Sequence, residues 1–441
     1  MNFLGSGSIN ERGHLEIGGV DTTNLAKEFG TPLYVYDVRK IRSQARSFKS
    51  AFHSQEVEAK IAYASKAFSC IAMVQLVDEE ELFLDVVSGG ELYTALRAGF
   101  PAEKIHFHGN NKSIEELEVA VREDVGCIVV DNFHEIDCLT LIGQQLKKKV
   151  PILLRVTPGI HAHTHDYILT GQEDSKFGFD LMSQQADQAL GEAVSSRYLD
   201  VLGVHCHIGS QIFETQGFIK AIQKVFESLG RWSKDVGFIP RVVNLGGGFG
   251  IPYTTEDKSL SIEKMVEELI SEVKKQVAFH SFPMPEIWIE PGRSLVGEAG
   301  TTLYTIGSEK RIPGIRNYLS VDGGMNDNLR PALYNAKYEA AVANRLGQKN
   351  EQTVSIAGKC CESGDMLIWD LNLPKTSHGD ILAMFCTGAY GYSMANNYNR
   401  LTRPAVVFVE NGDAQLVVER ERYEDLVRFD RSLRKSVVTG G

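Results

Sequence analysis

Lys66 ends the apolar run Ile61-Ala62-Tyr63-Ala64 with only small residues beside it. Burying an ammonium group is costly, so a lysine in such a place either snorkels outward or shifts towards its neutral amine. A neutral lysine amine can condense with an aldehyde, the reaction that anchors an aldehyde cofactor. Taken alone, Lys66 is also what an ordinary lysine after a strand looks like. Its standing changes with the residues that end the other apolar runs: Asp85, His108-Gly109-Asn110, Arg155, His207, Gly246-Gly247-Gly248 and Glu290-Pro291-Gly292-Arg293. Runs kept only for stability would end mostly in small or apolar residues.

Each of these has its own chemistry and its own bland alternative. The Gly246-Gly247-Gly248-Phe249-Gly250 run offers backbone amides with no Cβ in the way, which suits close approach of a phosphate and equally suits a tight turn. Glu290 follows the apolar Ile287-Trp288-Ile289, so its carboxylate is expected to be partly buried. It could pair with Arg293, or hold the protonated nitrogen of a pyridine ring and keep that ring electron-poor. His205 and His207 fall on one face at strand period, as core or ring-stacking residues rather than a metal site. His161, His163 and His165 read as loop or ion-lining residues. In Cys360-Cys361-Glu362-Ser363-Gly364-Asp365 a thiol stands beside a carboxylate before a glycine turn, where it could exchange a proton with a reacting carbon. Arg330 and Tyr334 can bind carboxylates, and Tyr390 can bind phosphate or carboxylate oxygens.

The elements that must position these groups follow a regular rhythm. Strand-like runs fall at 60–64, 82–87, 105–107, 127–131, 152–156, 201–205, 241–245 and 286–289, with helical periodicity between them, as at 113–122, 183–194, 218–234 and 262–278. Eight such units in this length predict a (β/α)8 barrel, with a doubly wound open sheet as the alternative, and barrel chemistry sits at the C-terminal strand ends. After Arg293 short strands at 301–306, 318–321, 352–356, 381–385 and 405–409 succeed one another without long helices, which predicts an antiparallel β domain. The run 33–36 is expected to pair with it. The predicted division is a barrel over 38–298 and a β-rich domain built from 1–37 and 299–441.

A length of 441 residues fits two domains, and 43% hydrophobic with 23% charged residues fits a globular protein. The net charge of -11 argues against nucleic acid or anionic membrane as partner. The first ten residues lack a basic and an apolar signal region, and no apolar run is long enough to span a bilayer. The seven cysteines are irregularly spaced and include no CxxC pair, so a reducing cytoplasm is expected rather than a disulfide framework.

The runs around Lys66 (YASKA), Asp85 (DVVSGGEL), His108 (HGNNK), His207 (HCHIGSQ), Gly246 (GGGFG), Glu290 (EPGR), Arg330 (RPALY), Cys361 (CESGD) and Tyr390 (GAYGYSM) resemble, in order and over nearly the whole chain, the fold-type III pyridoxal-phosphate-dependent decarboxylases. The resemblance is closest to those of Bacillus-like bacteria that act on diaminopimelate. It implies an alanine-racemase-like barrel, pyridoxal 5'-phosphate as cofactor, and decarboxylation of meso-2,6-diaminopimelate to L-lysine and carbon dioxide, the last step of lysine biosynthesis. By this resemblance Lys66 carries the cofactor and His207 stacks on its ring. Glu290 binds the ring nitrogen, and Asp85, Ser210, Gly247, Gly248, Gly292, Arg293 and Tyr390 complete the cofactor site. Arg293, Arg330, Tyr334, Glu362 and Tyr390 bind substrate, and Cys361 protonates Cα. The resemblance further implies a homodimer in which Cys361 and Glu362 reach the partner's site. One departure is Lys359-Cys360, where many members have a proline and an aliphatic residue, so a second thiol adjoins Cys361.

Three rivals are separable from the same residues. A decarboxylase of ornithine or lysine would have no distal substrate carboxylate and no need of an arginine pair. A racemase on this barrel would resemble its family by an arginine at the ring nitrogen, where this chain has Glu290. A catalytically silent cofactor-binding regulator could dispense with Cys361, Glu362 and Arg330, all of which are present.

Overall fold

The computed structural model describes residues 7–160 and 175–433, so His161, His163 and His165 lie outside the described residues. Eight parallel strands, Ala59–Ala64, Phe83–Val86, Ile105–Phe107, Cys127–Val130, Val150–Thr157, Leu199–His205, Val242–Asn244 and Glu286–Ile289, pair in chain order. The last pairs back onto the first through Ile287 and Ala59, which closes the barrel and rules out the open sheet. Helices such as Ile114–Arg122, Gln216–Val236 and Ile262–His280 cover the outside. The first of these begins at a reciprocal cap, in which Ser113 and Glu116 each accept the other's backbone N–H.

Alternation along the strands decides what faces the barrel axis. Ile128, Val130, Ile152, Leu154, Ile287 and Ile289 join the large core under the helices. Their neighbours Cys127, Val129, Leu153 and Trp288 form a separate small cluster with Val242. Period two therefore sends one set outward and the other inward. Towards the C-terminal ends the inward set turns polar: Asp85, His106, Asp131, Arg155, His205 and Asn244 are all buried. His106 stacks on Trp288 at 4.1 Å between ring centroids and separates the apolar floor from the polar layer above it.

The second sheet runs in the order Met366–Leu373, Gln352–Ala357, Arg316–Val321, Gly300–Ile312, Leu33–Asp37, Ala405–Glu410, Asp413–Val418, with Ile381–Met384 attached to Gly300–Ile312 and Ala340–Val342 attached in turn to Ile381–Met384. Leu33–Asp37 lies inside this sheet, antiparallel to Gly300–Ile312 and parallel to Ala405–Glu410. Arg316–Val321 and Gln352–Ala357 are also parallel. The sheet is thus mixed where the sequence predicts an antiparallel one. Hairpins force antiparallel pairing, but strands brought together from distant parts of the chain are free of that constraint. No helix among the described residues is long and apolar enough to cross a membrane.

Candidate active site

Lys66 sits in a short 3-10 turn, Ser65–Ala67, directly after the first barrel strand. Its Nζ lies 3.6 Å from Asp85 Oδ2 on the second strand. The side chain keeps 41% of its surface open, and that surface faces the cavity rather than bulk solvent. Asp85 is fully buried, and neither of its carboxylate oxygens has a hydrogen bond among the described residues. Burial pulls the Lys66 ammonium down, but Asp85, followed by Tyr390 and Glu290, pushes it up further, and the net shift is upward. In this state Lys66 is neither snorkelling nor a free amine; it is a cation held by a carboxylate that has almost nothing else.

Glu290 closes the polar layer from the end of the last strand, at 5% exposure. Asn244 Nδ2 donates to its Oε1 at 2.6 Å, and His205 Nε2 lies 3.0 Å from its Oε2. His108 Nε2 is 2.8 Å from Oε1, close enough for charge attraction though not aligned as a hydrogen bond. Burial works against the ionised form of Glu290; the two histidines outweigh it, and the carboxyl stays below its usual range. Burial holds His205 down to about 4, so at neutral pH it is an uncharged donor to Glu290. The sequence-level alternative of a Glu290–Arg293 pair is not what forms. His108, His205 and Glu290 also converge closely enough for metal ligands. Their 2.8–3.0 Å separations are hydrogen-bond lengths; ligands around a tetrahedral ion stand about 3.4 Å apart.

His207 follows the sixth strand. Gly247 N–H donates to its Nδ1 at 3.2 Å. Burial, then the charges of Lys66 and Arg155, hold the ring well below its usual pKa. It is therefore a neutral, fixed plane against the cavity. The glycine turn beside it is required sterically: a Cβ on Gly247 would come 2.2 Å from the Glu290 carbonyl, and one on Gly248, at φ 107°, would come 2.3 Å from the Gly209 carbonyl. Gly247, Gly248, Gly292, Ser210, Arg293 and Tyr390 surround a narrow cleft that opens from Lys66. Tyr390 adopts a left-handed conformation, φ 59°, held by its N–H donating to Ala67 at 2.8 Å.

The cavity at the barrel mouth, about 500 Å³, is lined by Lys66, His207, Ser210, Glu290, Arg293, Arg330, Tyr334 and Tyr390, with Phe177 and Met394 at its sides. Arg155, also on its wall, has its guanidinium 4.3 Å from the Phe177 ring centroid. Arg293 and Arg330 are buried, yet among the described residues neither meets a carboxylate, and Arg293 Nε has no partner. Buried cations without counter-charge mark where an anionic ligand binds. An amine, an ionised carboxylate and a glycine cleft with a buried arginine thus occupy three corners of one space. These are the groups that an aldehyde, a ring nitrogen and a phosphate on one molecule require, so the residues present fit pyridoxal phosphate.

The structure brings Lys66, Asp85, His207, Ser210, Gly247, Gly248, Glu290, Gly292, Arg293, Arg330, Tyr334 and Tyr390 together. It does not bring Cys361 and Glu362 to the same cavity; both are exposed and line none of it. Cys361 N–H donates to Asn399 Oδ1 at 2.6 Å. Cys360 is buried, and burial raises its thiol to about 12, so the extra thiol stays protonated at neutral pH. Sequence reading missed Asn244 as a partner of Glu290, and it missed Tyr253 and Tyr338. Alternation on the seventh strand could have found Asn244; nothing local signals the tyrosines.

The family described as "Pyridoxal-dependent decarboxylase, pyridoxal binding domain" matches residues 38–297. The chain is 66% identical to the diaminopimelate decarboxylase of Bacillus methanolicus, over 96% of this chain and 98% of that protein. It is 62% identical to that of Bacillus subtilis (strain 168), over 99% of this chain and all of that protein. The crystal structure of diaminopimelate decarboxylase from M. jannaschii in complex with L-lysine superposes with a TM-score of 0.91 at 36% identity, over 97% of this chain and 98% of that one. An alanine-racemase-like barrel with a cavity built for pyridoxal phosphate, and full-length likeness at these identities, agree: the chain belongs to the pyridoxal-dependent decarboxylases, in the diaminopimelate decarboxylase family.

Proposed function

We propose that this chain decarboxylates meso-2,6-diaminopimelate to L-lysine and carbon dioxide with pyridoxal 5'-phosphate as cofactor. The observation that carries the reading is the pairing, in one cavity, of Lys66 and ionised Glu290 with two buried arginines that meet no carboxylate among the described residues. Lys66 would hold the aldehyde carbon, Glu290 the ring nitrogen, His207 the ring face, and Ser210, Gly247, Gly248, Gly292 and Tyr390 the phosphate. When bound, pyridoxal phosphate supplies an electron sink for the pair released as the Cα carboxylate leaves.

This chain's own groups set the conditions around that chemistry. Glu290, kept ionised by Asn244, His205 and His108, favours a proton on the ring nitrogen, which a neutral acceptor would not. Asp85 holds the Lys66 amine in place and can exchange a proton with it, because no hydrogen bond from the described residues ties its oxygens elsewhere. Arg330, Tyr334 and Arg293 bind and orient the distal carboxylate of the substrate, which turns the carboxylate to be lost towards Lys66. Cys361 of a second copy gives the proton that Cα takes up, and Glu362 of that copy faces the distal ammonium.

The homodimer is part of the proposal. It is supported by the exposure of Cys361 and Glu362 outside their own cavity and by the apolar surface of Tyr423, Val427 and Phe429 near the C-terminus. A reducing cytoplasmic location fits seven cysteines that are all free. The test is carbon dioxide release by purified protein with added cofactor from meso-diaminopimelate, L-ornithine and L-lysine. Turnover of diaminopimelate alone is expected; preferential turnover of ornithine or lysine would contradict the assignment.

A further inference from the structure

Arg293 and Arg330 come from different parts of the chain, yet a pair of tyrosines connects them. Arg330 opens the helix Arg330–Tyr334 of the β-rich region, and its Nε donates to the Tyr338 hydroxyl at 2.9 Å. Arg293 follows the last barrel strand; its Nη1 donates to the Tyr253 hydroxyl, and its Nη2 donates to Ser210 at 3.0 Å. The two phenol rings meet edge-on, with centroids 5.3 Å apart at 84°. Both guanidinium groups also lie against the Tyr253 ring, at 5.6 and 5.7 Å.

Tyr253 belongs to the loop after the seventh barrel strand, but it is buried in the core of the β-rich region beside Ile251 and Tyr338. Two like charges held without carboxylates repel, and aromatic faces between them reduce that cost. Burial pushes the Tyr338 phenol up to about 12, so it remains a neutral acceptor at working pH. A neutral acceptor fixes the direction of a guanidinium without satisfying its charge, leaving that charge for a ligand. A carboxylate in the same place would consume it.

We propose that Tyr253 and Tyr338 are positioning residues that set the spacing of Arg293 and Arg330, and that through Arg330 they select substrates carrying a carboxylate at the distal end. This rests on the diaminopimelate reading. The product keeps the carboxylate in question, since decarboxylation removes only the one at the reacting carbon. L-lysine should therefore report on the bridge, and cadaverine, which lacks that carboxylate, should not.

The test is calorimetric titration of the holoenzyme with L-lysine and with cadaverine, for wild type, Tyr338→Phe and Tyr253→Phe. Each substitution keeps the ring and its packing and removes only the hydroxyl. In Tyr338→Phe, lysine binding should weaken about tenfold, the cost of stranding one buried charged donor. Cadaverine binding should not move, and KM for diaminopimelate should rise by a similar factor while kcat changes far less. Tyr253→Phe should have a smaller effect of the same pattern, about threefold, because Ser210 still holds Arg293. Equal weakening of both ligands would mean a general structural defect and would overturn the bridge. A full wild-type preference for lysine in both variants would overturn it while leaving the diaminopimelate reading intact. No preference in the wild type would remove that reading, and the bridge with it.

Discussion

The barrel mouth gathers Lys66, His207 and Glu290 from three strand ends into one wall with Asp85 buried behind Lys66, whereas the β-rich region delivers Arg330, Tyr334 and Tyr390 to that wall but leaves Cys361 and Glu362 exposed elsewhere. The first set is finished within one chain. Its carboxylates are buried, His205 and His207 are neutral, and Glu290 has donors on both oxygens. The second set is divided, with part of it lining the cavity and part exposed away from it. Groups that hold a cofactor need rigid strand ends, and the barrel supplies them. In the proposed reading, the group that hands a proton to Cα needs only to be delivered to the site, and the exposure of Cys361 away from its own cavity is what delivery from a second copy would require. The barrel thus supplies the groups that fit the cofactor, and in the proposed reading the β-rich region decides what is done with it.

Removing Lys66 strikes the barrel half most directly. Lys66→Ala should lose the visible absorbance of the bound cofactor and lower turnover by roughly 10⁴-fold or more; a variant that kept both would break the comparison at its base. Cys361→Ala should lower kcat by about 10²–10⁴-fold, the usual worth of a positioned acid, with cofactor absorbance unchanged. Its neighbour Cys360, buried and with its thiol raised to about 12, should be replaceable by alanine at a cost in kcat of less than about twofold. Glu290→Gln should retain cofactor at Lys66 but lose about 10²–10³-fold in kcat, because a neutral amide cannot hold the ring-nitrogen proton as a carboxylate does.

The polar layer also makes a smaller, pH-dependent prediction. Burial depresses His205 to about 4 and His106 to about 3, whereas an unfolded histidine titrates near about 6.5. Between these values the unfolded chain binds the extra protons, so stability rises with pH across that window and is lost as pH falls from about 6.5 towards 4. Each histidine contributes a slope of about 1.4 kcal/mol per pH unit there. His205→Gln, which keeps a donor for Glu290, should flatten the dependence of Tm on pH over this range. An unchanged slope would remove His205 from the account.

The barrel half was the more legible in sequence, for a physical reason. A strand's C-terminal end is fixed by its own short apolar run, so Lys66, Asp85 and Glu290 announce themselves next to the pattern that positions them. His205 was legible as a residue but not as a donor to Glu290, since that contact joins strands 85 residues apart. Asn244 escaped for the same reason. Tyr253 and Tyr338 carry no local signal, because their pairing exists only once a barrel loop is packed into the second core. The parallel pairings of Leu33–Asp37 with Ala405–Glu410 and of Arg316–Val321 with Gln352–Ala357 were hidden likewise, as no hairpin dictates them.

The division of labour between the two halves is tested most directly by mixing Lys66→Ala with Cys361→Ala protein, each inactive alone, under conditions that exchange subunits, and assaying lysine formation from meso-diaminopimelate. In a hybrid dimer one site would combine the intact Lys66 of one copy with the intact Cys361 of the other. Random exchange makes half of the dimers hybrid, so about a quarter of wild-type activity should return. Return of that activity is the predicted result; exchange without any recovery would contradict a site shared between two chains.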